Sequence, residues 1–204
     1  MNTPAQKASS DASLDPVILV EATPNPATRK FLPGCTISAE GPLAFNDAES
    51  AKDSPFAEAL FKVDGVEAVF FGQNFISVTK TEDAAWPELA RVLQEKIATA
   101  LSDNLPLWRA QKGAGQEATV SQPEKAKEGT IERDIQDLLD QRIRPFVAQD
   151  GGDIIFERFE KGIVYLKMHG ACQGCPSASA TLKQGVENML RHFIPEVQAV
   201  EAVS

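Results

Sequence analysis

The 204-residue sequence has no long hydrophobic run; its uninterrupted apolar stretches are a few residues each. About 18 are needed to cross a bilayer, so no membrane span is expected. Basic residues are also in short supply: 20 Lys and Arg stand against 29 Asp and Glu, for a net charge of −9 and a pI near 4.8. Nucleic-acid binding draws its affinity from Lys and Arg displacing counterions from phosphates, so this balance excludes nucleic acid and anionic membrane as partners. Cysteine is scarce. Three in the whole chain cannot build a disulfide framework. Met1 to Pro16 hold one basic residue, two aspartates and no apolar run. They lack the pattern of a signal or Arg-rich transit peptide, and a cytoplasmic protein is the expectation.

What is present is ordinary globular material, 43% hydrophobic and 24% charged, which rules out a wholly disordered or collagen-like chain. The length admits one medium domain or two small ones. The stretch DNLPLWRAQKGAGQEATVSQPEKAKEGT decides between them. From Arg109 onward its only large apolar residue is Val120, too little to bury, so residues 109–129 read as a flexible linker. Two modules follow, 17–108 and 130–204, with residues 1–16 as a disordered tail. Residues 1–108 carry 8 basic and 15 acidic side chains (−7), while 130–204 carry 8 and 11 (−3).

In the first module Val17 to Glu21 and Arg29 to Leu32 read as strands, separated by Thr23-Pro24-Asn25-Pro26, whose prolines suppress helix. Pro55 opens a short helix. Val66 to Thr79 reads as a hairpin around Gly72-Gln73-Asn74. Trp86, Leu89, Leu93, Ile97 and Leu101 then recur at helical spacing. The second module begins with a helical stripe of Ile131, Ile135, Leu138, Leu139 and Phe146. Asp150-Gly151-Gly152 breaks that helix, and Asp153 to Phe159 and Ile163 to Met168 form a hairpin. The loop GACQGCP comes next, then a helix with the stripe Leu182, Val186, Met189, Leu190 and Phe193, and a closing strand over Val197 to Val203. The fold class is α+β: two small α+β domains joined by a flexible linker.

The chemistry sits in Cys172-Gln173-Gly174-Cys175, between a strand and a helix. That position predicts thiols at the edge of the core, with pKa values lowered by the helix N-terminus. Three readings compete. A thioredoxin-like dithiol belongs in a βαβ setting, whereas the pattern here suggests a hairpin. Structural zinc wants four ligands, with His169 as a conceivable third and His192 as a remote fourth; His192 reads better as a surface residue. An iron–sulfur cluster prefers four thiolates. One loop brings two, and Cys35 lies in the other module, where it reads as a small filler rather than a ligand. Two chains, each offering its pair, supply four, and a cluster held between exposed loops is easy to give away.

GACQGCPSASATLKQGVENML closely resembles the cysteine segment of the Nfu family, the NifU C-terminal-like iron–sulfur cluster carriers, and IRPFVAQDGGDI matches the same domain. EATPNPATRKFLPG resembles the Nfu N-terminal domain. The resemblance implies cluster ligation by Cys172 and Cys175, a 4Fe-4S cluster shared by two subunits of a homodimer, and its delivery to apo iron–sulfur proteins after receipt from an upstream assembly scaffold. It implies a carrier, with no catalytic residue; the expected setting is the bacterial cytoplasm, with the mitochondrial matrix as the alternative. A thiol–disulfide oxidoreductase and a zinc-stabilised interaction module are the other readings. Asp150 to Asp153 read as a turn rather than as ligands, since clusters prefer thiolate. The TPNP segment reads equally as a recognition loop or a Pro-fixed turn.

Overall fold

The computed structural model describes residues 17–39, 41–109, 130–173 and 176–203, the side chains of 176–179 excepted. The expected tail and all of the expected linker but Arg109 lie outside these residues. Arg109 itself belongs to the first module, its N–H donating to the Asp53 carbonyl at 2.7 Å and its guanidinium pairing with Glu58 at 2.6 Å.

Five strands, β1 (Leu19–Ala22), β2 (Thr28–Leu32), β3 (Leu43–Phe45), β4 (Val66–Phe71) and β5 (Ile76–Lys80), form an antiparallel sheet in the order β1-β2-β5-β4-β3. β3 carries no clear sequence signal; three residues are too few to show alternation. Helix α1 (Pro55–Phe61) starts where Ser54 Oγ accepts from the Ala57 N–H, with proline at the first turn, where a missing N–H costs nothing. Helix α2 (Trp86–Ser102) buries Leu89, Leu93 and Ile97 as its stripe requires. Both helices pack on the sheet face that presents Phe31, Val69, Phe71, Ile76 and Val78, giving one core.

The second module runs through α3 (Ile131–Leu138), a π-helical turn (Leu139–Ile143), α4 (Arg144–Gln149), the hairpin of β6 (Gly152–Glu160) and β7 (Ile163–Gly170), then α5 (Pro176–Phe193) and β8 (Ala199–Val203). β6 and β7 are antiparallel, but β8 joins β7 in parallel. β7–α5–β8 is therefore a βαβ crossover, and the expectation of a hairpin in place of such a unit is corrected: the module contains both. Alternation marks strands without giving their direction, and α5 is long enough to carry the chain back.

Phe146 and Phe193 were expected in the core, and both are exposed, at 66% and 48%. The π turn explains the first. One extra residue per turn advances the helix by about 100°, so the inward stripe slips by one position and Ile143 and Val147 are buried instead. Phe193, at the end of α5, lies under the Arg142 guanidinium, 4.9 Å from its ring centre. The second core, with Ile135, Leu139, Ile154, Leu166 and Leu190 fully buried, shares no residue with the first.

The two modules touch through the other face of the first sheet. Side chains alternate across a strand, so Lys30 on β2, Ser77 on β5 and Phe70 on β4 point away from the first core. Register places them side by side, Lys30 opposite Ser77 and Ser77 opposite Phe70. Each of the three meets the second module. Lys30 Nζ donates to the Gln149 carbonyl at 3.0 Å, Ser77 Oγ donates to the Gly151 carbonyl at 2.5 Å, and the Phe70 ring stacks on His169 with centroids 6.3 Å apart.

Candidate functional site

The cysteine loop leaves β7 at Gly170 and enters α5 at Pro176. It is stitched to the α4–β6 turn: the Ala171 N–H donates to the Gly151 carbonyl at 3.1 Å, and the Gln173 N–H closes back on the Gly170 carbonyl at 3.0 Å. Gly151 has φ +79°, and a Cβ there would come within 2.8 Å of Ser77 Oγ. At Gly152 a Cβ would collide with Cys172 Sγ and lie 2.9 Å from the His169 carbonyl oxygen. Only glycine permits both approaches. Asp150 caps α4, and Asp150 and Gly151 form the turn into β6.

Cys172 is 6% exposed and belongs to the second core. A small cavity of about 90 Å³ beside it is lined by Pro24, Phe146, Asp150 and Leu182 among others. Burial pushes its thiol up to about 12, with the carboxylates of Asp150 and Asp153 adding to the effect. The expected edge position and lowered pKa are thus corrected. A helix end acts only over the first turn and through partial charges, whereas removing a thiolate from water costs far more. Cys175 lies outside the described residues.

Asp153 is 5% exposed and turned to Arg144, which donates to its two oxygens at 2.8 and 2.7 Å, while Oδ1 also accepts the Ile154 N–H. Hydrogen bonding to Asp153 holds the Arg144 guanidinium protonated against its partial burial. The pair ties the start of α4 to β6 beneath the cysteine loop. His169, 4% exposed, has neither ring nitrogen bonded among the described residues. Burial, helped by Lys167 and opposed by Asp153, lowers its pKa to about 4 and keeps it neutral. His192 is exposed, as expected.

Cys35 is also exposed, which corrects its reading as a core filler: it follows Pro33 and Gly34 in a surface turn after β2. Among the described residues no three His, Cys, Asp or Glu side chains gather as a metal-binding group, and no helix is long and apolar enough to cross a membrane.

Sequence reasoning missed the first module's share of this site. The Asn25 side chain, 4% exposed, donates through Nδ2 to the Gln173 carbonyl at 3.0 Å, a contact spanning 148 positions in the chain. One signal lay in the sequence: Val69, Phe70 and Phe71 are apolar in succession, a mark of a strand covered on both faces.

Residues 18–104 match the family described as scaffold protein Nfu/NifU N terminal, and residues 135–201 match the NifU-like domain, the part that contains the cysteine loop. The chain belongs to the Nfu family. Among relatives of this Nfu chain is the NFU1 iron-sulfur cluster scaffold homolog, mitochondrial, of Drosophila grimshawi, 44% identical over 191 residues, which are 91% of this chain and 61% of the relative. NifU-like protein 4, mitochondrial, of Arabidopsis thaliana is 41% identical over 187 residues, 90% of this chain and 65% of the relative. The Nfu chain thus spans a little under two thirds of the length of these relatives.

Proposed function

We propose that this chain is an iron–sulfur cluster scaffold and carrier, in which Cys172 and Cys175 of each of two chains hold a labile 4Fe-4S cluster between them. The observation that carries the reading is the cysteine pair's position: it lies in the NifU-like domain, within a region that aligns over 91% of this chain with a relative named an iron-sulfur cluster scaffold. Thiolate arithmetic supplies the bridge. Such a cluster prefers four thiolates and one loop brings two.

The cluster is cargo. Delivery is a ligand substitution at iron, in which each bond to a carrier thiolate is replaced by one to a thiolate of the apo-protein that receives it. The proton lost by the incoming thiol is taken up by the departing one, and no electron need move. A thiol whose pKa stands near 12 when the loop is buried favours the second half of that exchange, since the returned carrier thiol is held protonated. On this reading the chain is a carrier and not an enzyme, loaded by an upstream assembly scaffold. Its relatives are named mitochondrial, and the mitochondrial matrix stands beside the bacterial cytoplasm as its setting.

The βαβ crossover at the cysteine loop favours a dithiol oxidoreductase as the second reading, but such an enzyme works through a lowered thiol pKa, and that of Cys172 is raised. Anaerobic reconstitution separates the two. The carrier is expected to show a broad absorption near about 400 nm and to sediment at doubled mass with about four iron per two chains; dithiol and zinc forms are colourless. Cys172→Ser or Cys175→Ser alone is expected to abolish both colour and dimer. A coloured monomer holding four iron would refute the bridge.

A further inference from the structure

The thiol of Cys172 is buried chiefly by the second module's own core, and the first module adds a further wall. Pro24 lines the cavity beside it. The neighbouring Asn25 holds the loop by the carbonyl between the two cysteines. This contact is preorganised. Asn25 Oδ1 is committed to the Ala27 N–H at 3.0 Å, which fixes the amide with its Nδ2 toward Gln173. Thr23 Oγ1 closes the same turn on the carbonyls of Asn25 and Thr28, and Trp86 Nε1 donates to the Pro26 carbonyl at 2.9 Å, tying it to α2. Lys30 and Ser77 bond the Gln149 and Gly151 carbonyls of the turn that in turn holds Ala171, and Phe70 stacks on His169 beside it.

We propose that the first module is a latch on the cysteine loop: the Thr23–Pro26 turn, acting through Asn25, positions the loop with Cys172 buried, and this docking must release before the thiol can meet a second chain. The first module then governs when the loop is available, beyond any role in recognising recipients. Its part in loading rests on the carrier reading above; the docking itself does not.

Asn25→Asp keeps the oxygen that accepts from Ala27 and so preserves the turn, but it removes the donor and sets a carboxylate against the Gln173 carbonyl. Lys30→Met with Ser77→Ala releases the docking elsewhere, on a sheet face that leaves the first core intact. The test uses the full cluster-free chain with Cys35→Ser, alkylated with iodoacetamide at pH 8. Modification at Cys172 is followed by tandem mass spectrometry of the peptide from Met168 to Lys183. The expected result is slow modification in the parent and about tenfold faster modification in Asn25→Asp, the effect of roughly one lost hydrogen bond, with the double variant changed in the same direction. Should Asn25→Asp not fold, the double variant decides. Rates in the folded variants within twofold of the parent overturn the latch, as does a parent modified as fast as the urea-unfolded chain. Faster alkylation in a chain that takes up no cluster on reconstitution keeps the latch and removes the carrier reading.

Discussion

His169 shows how one buried side chain makes stability depend on pH. Its ring stacks on Phe70 of the first module, and burial lowers its pKa from 6.5 to about 4. Below pH 6.5 the unfolded chain takes up a proton that the folded chain refuses until about pH 4, so the unfolded state binds more protons across that window. Stability contributed by the neutral ring is complete above 6.5 and falls as the pH drops toward 4, by about 3 kcal/mol in all. Urea unfolding of the parent and of His169→Gln at pH 7 and pH 4 checks this. The gap between them is expected to shift by about that amount in favour of the glutamine variant at low pH, and an unchanged gap would show that His169 is not buried in solution.

Among the elements, the helical run from Ile131 to Gln149 carries the most consequence for the site. Thr130 caps its start by accepting from the Arg133 N–H, and the π turn at Leu139–Ile143 re-phases its second half. That re-phasing aligns Arg144 with both Asp140, at 2.9 Å, and Asp153 on β6. Arg144→Met removes the partner of a carboxylate that is 5% exposed. Breaking a fully buried pair costs about 3–5 kcal/mol, and Arg144 is half-buried, so a loss of about 2–3 kcal/mol is expected in denaturant unfolding. Because Asp153 stands at the foot of the cysteine loop, Arg144→Met is also expected to shorten the lifetime of a reconstituted cluster, read from the decay of its absorption. The double variant Arg144→Met, Asp153→Leu should recover most of the stability, as apolar replacement of a buried pair generally does.

At the scale of the molecule, two cores with no residue in common are held together by a seam of a few hydrogen bonds and one stacked pair of rings. Each module has a core of its own, so each is expected to keep its fold when the connection is cut. Limited proteolysis is expected to cleave first between residues 109 and 130, leaving fragments that retain their sheets by circular dichroism. A first cut within α2 or β6 would place the division elsewhere. A seam of a few hydrogen bonds and one ring pair opens more readily than a packed core, which suits a latch that must yield to a second chain.

Much of the local structure is legible in the sequence. Proline at the head of α1, the stripe Leu89, Leu93 and Ile97, the Lys161-Gly162 turn of the second hairpin and the cysteine spacing are all short-range patterns, and short-range patterns reside in neighbouring residues. The sequence by itself determined two α+β modules and the loop that carries the thiols. Tertiary structure alone decided what those thiols experience. The helix end predicted a lowered pKa at Cys172, yet packing against Gly152 and the second core overrode it, because desolvation is set by atoms brought in from elsewhere in the chain. The inward stripe ended at Val147 and not Phe146, because an extra residue in one helical turn leaves no mark in composition. The contact from Asn25 to Gln173 joins positions 148 apart in the sequence; no periodicity reaches across that distance, and only the folding of one module against the other creates it.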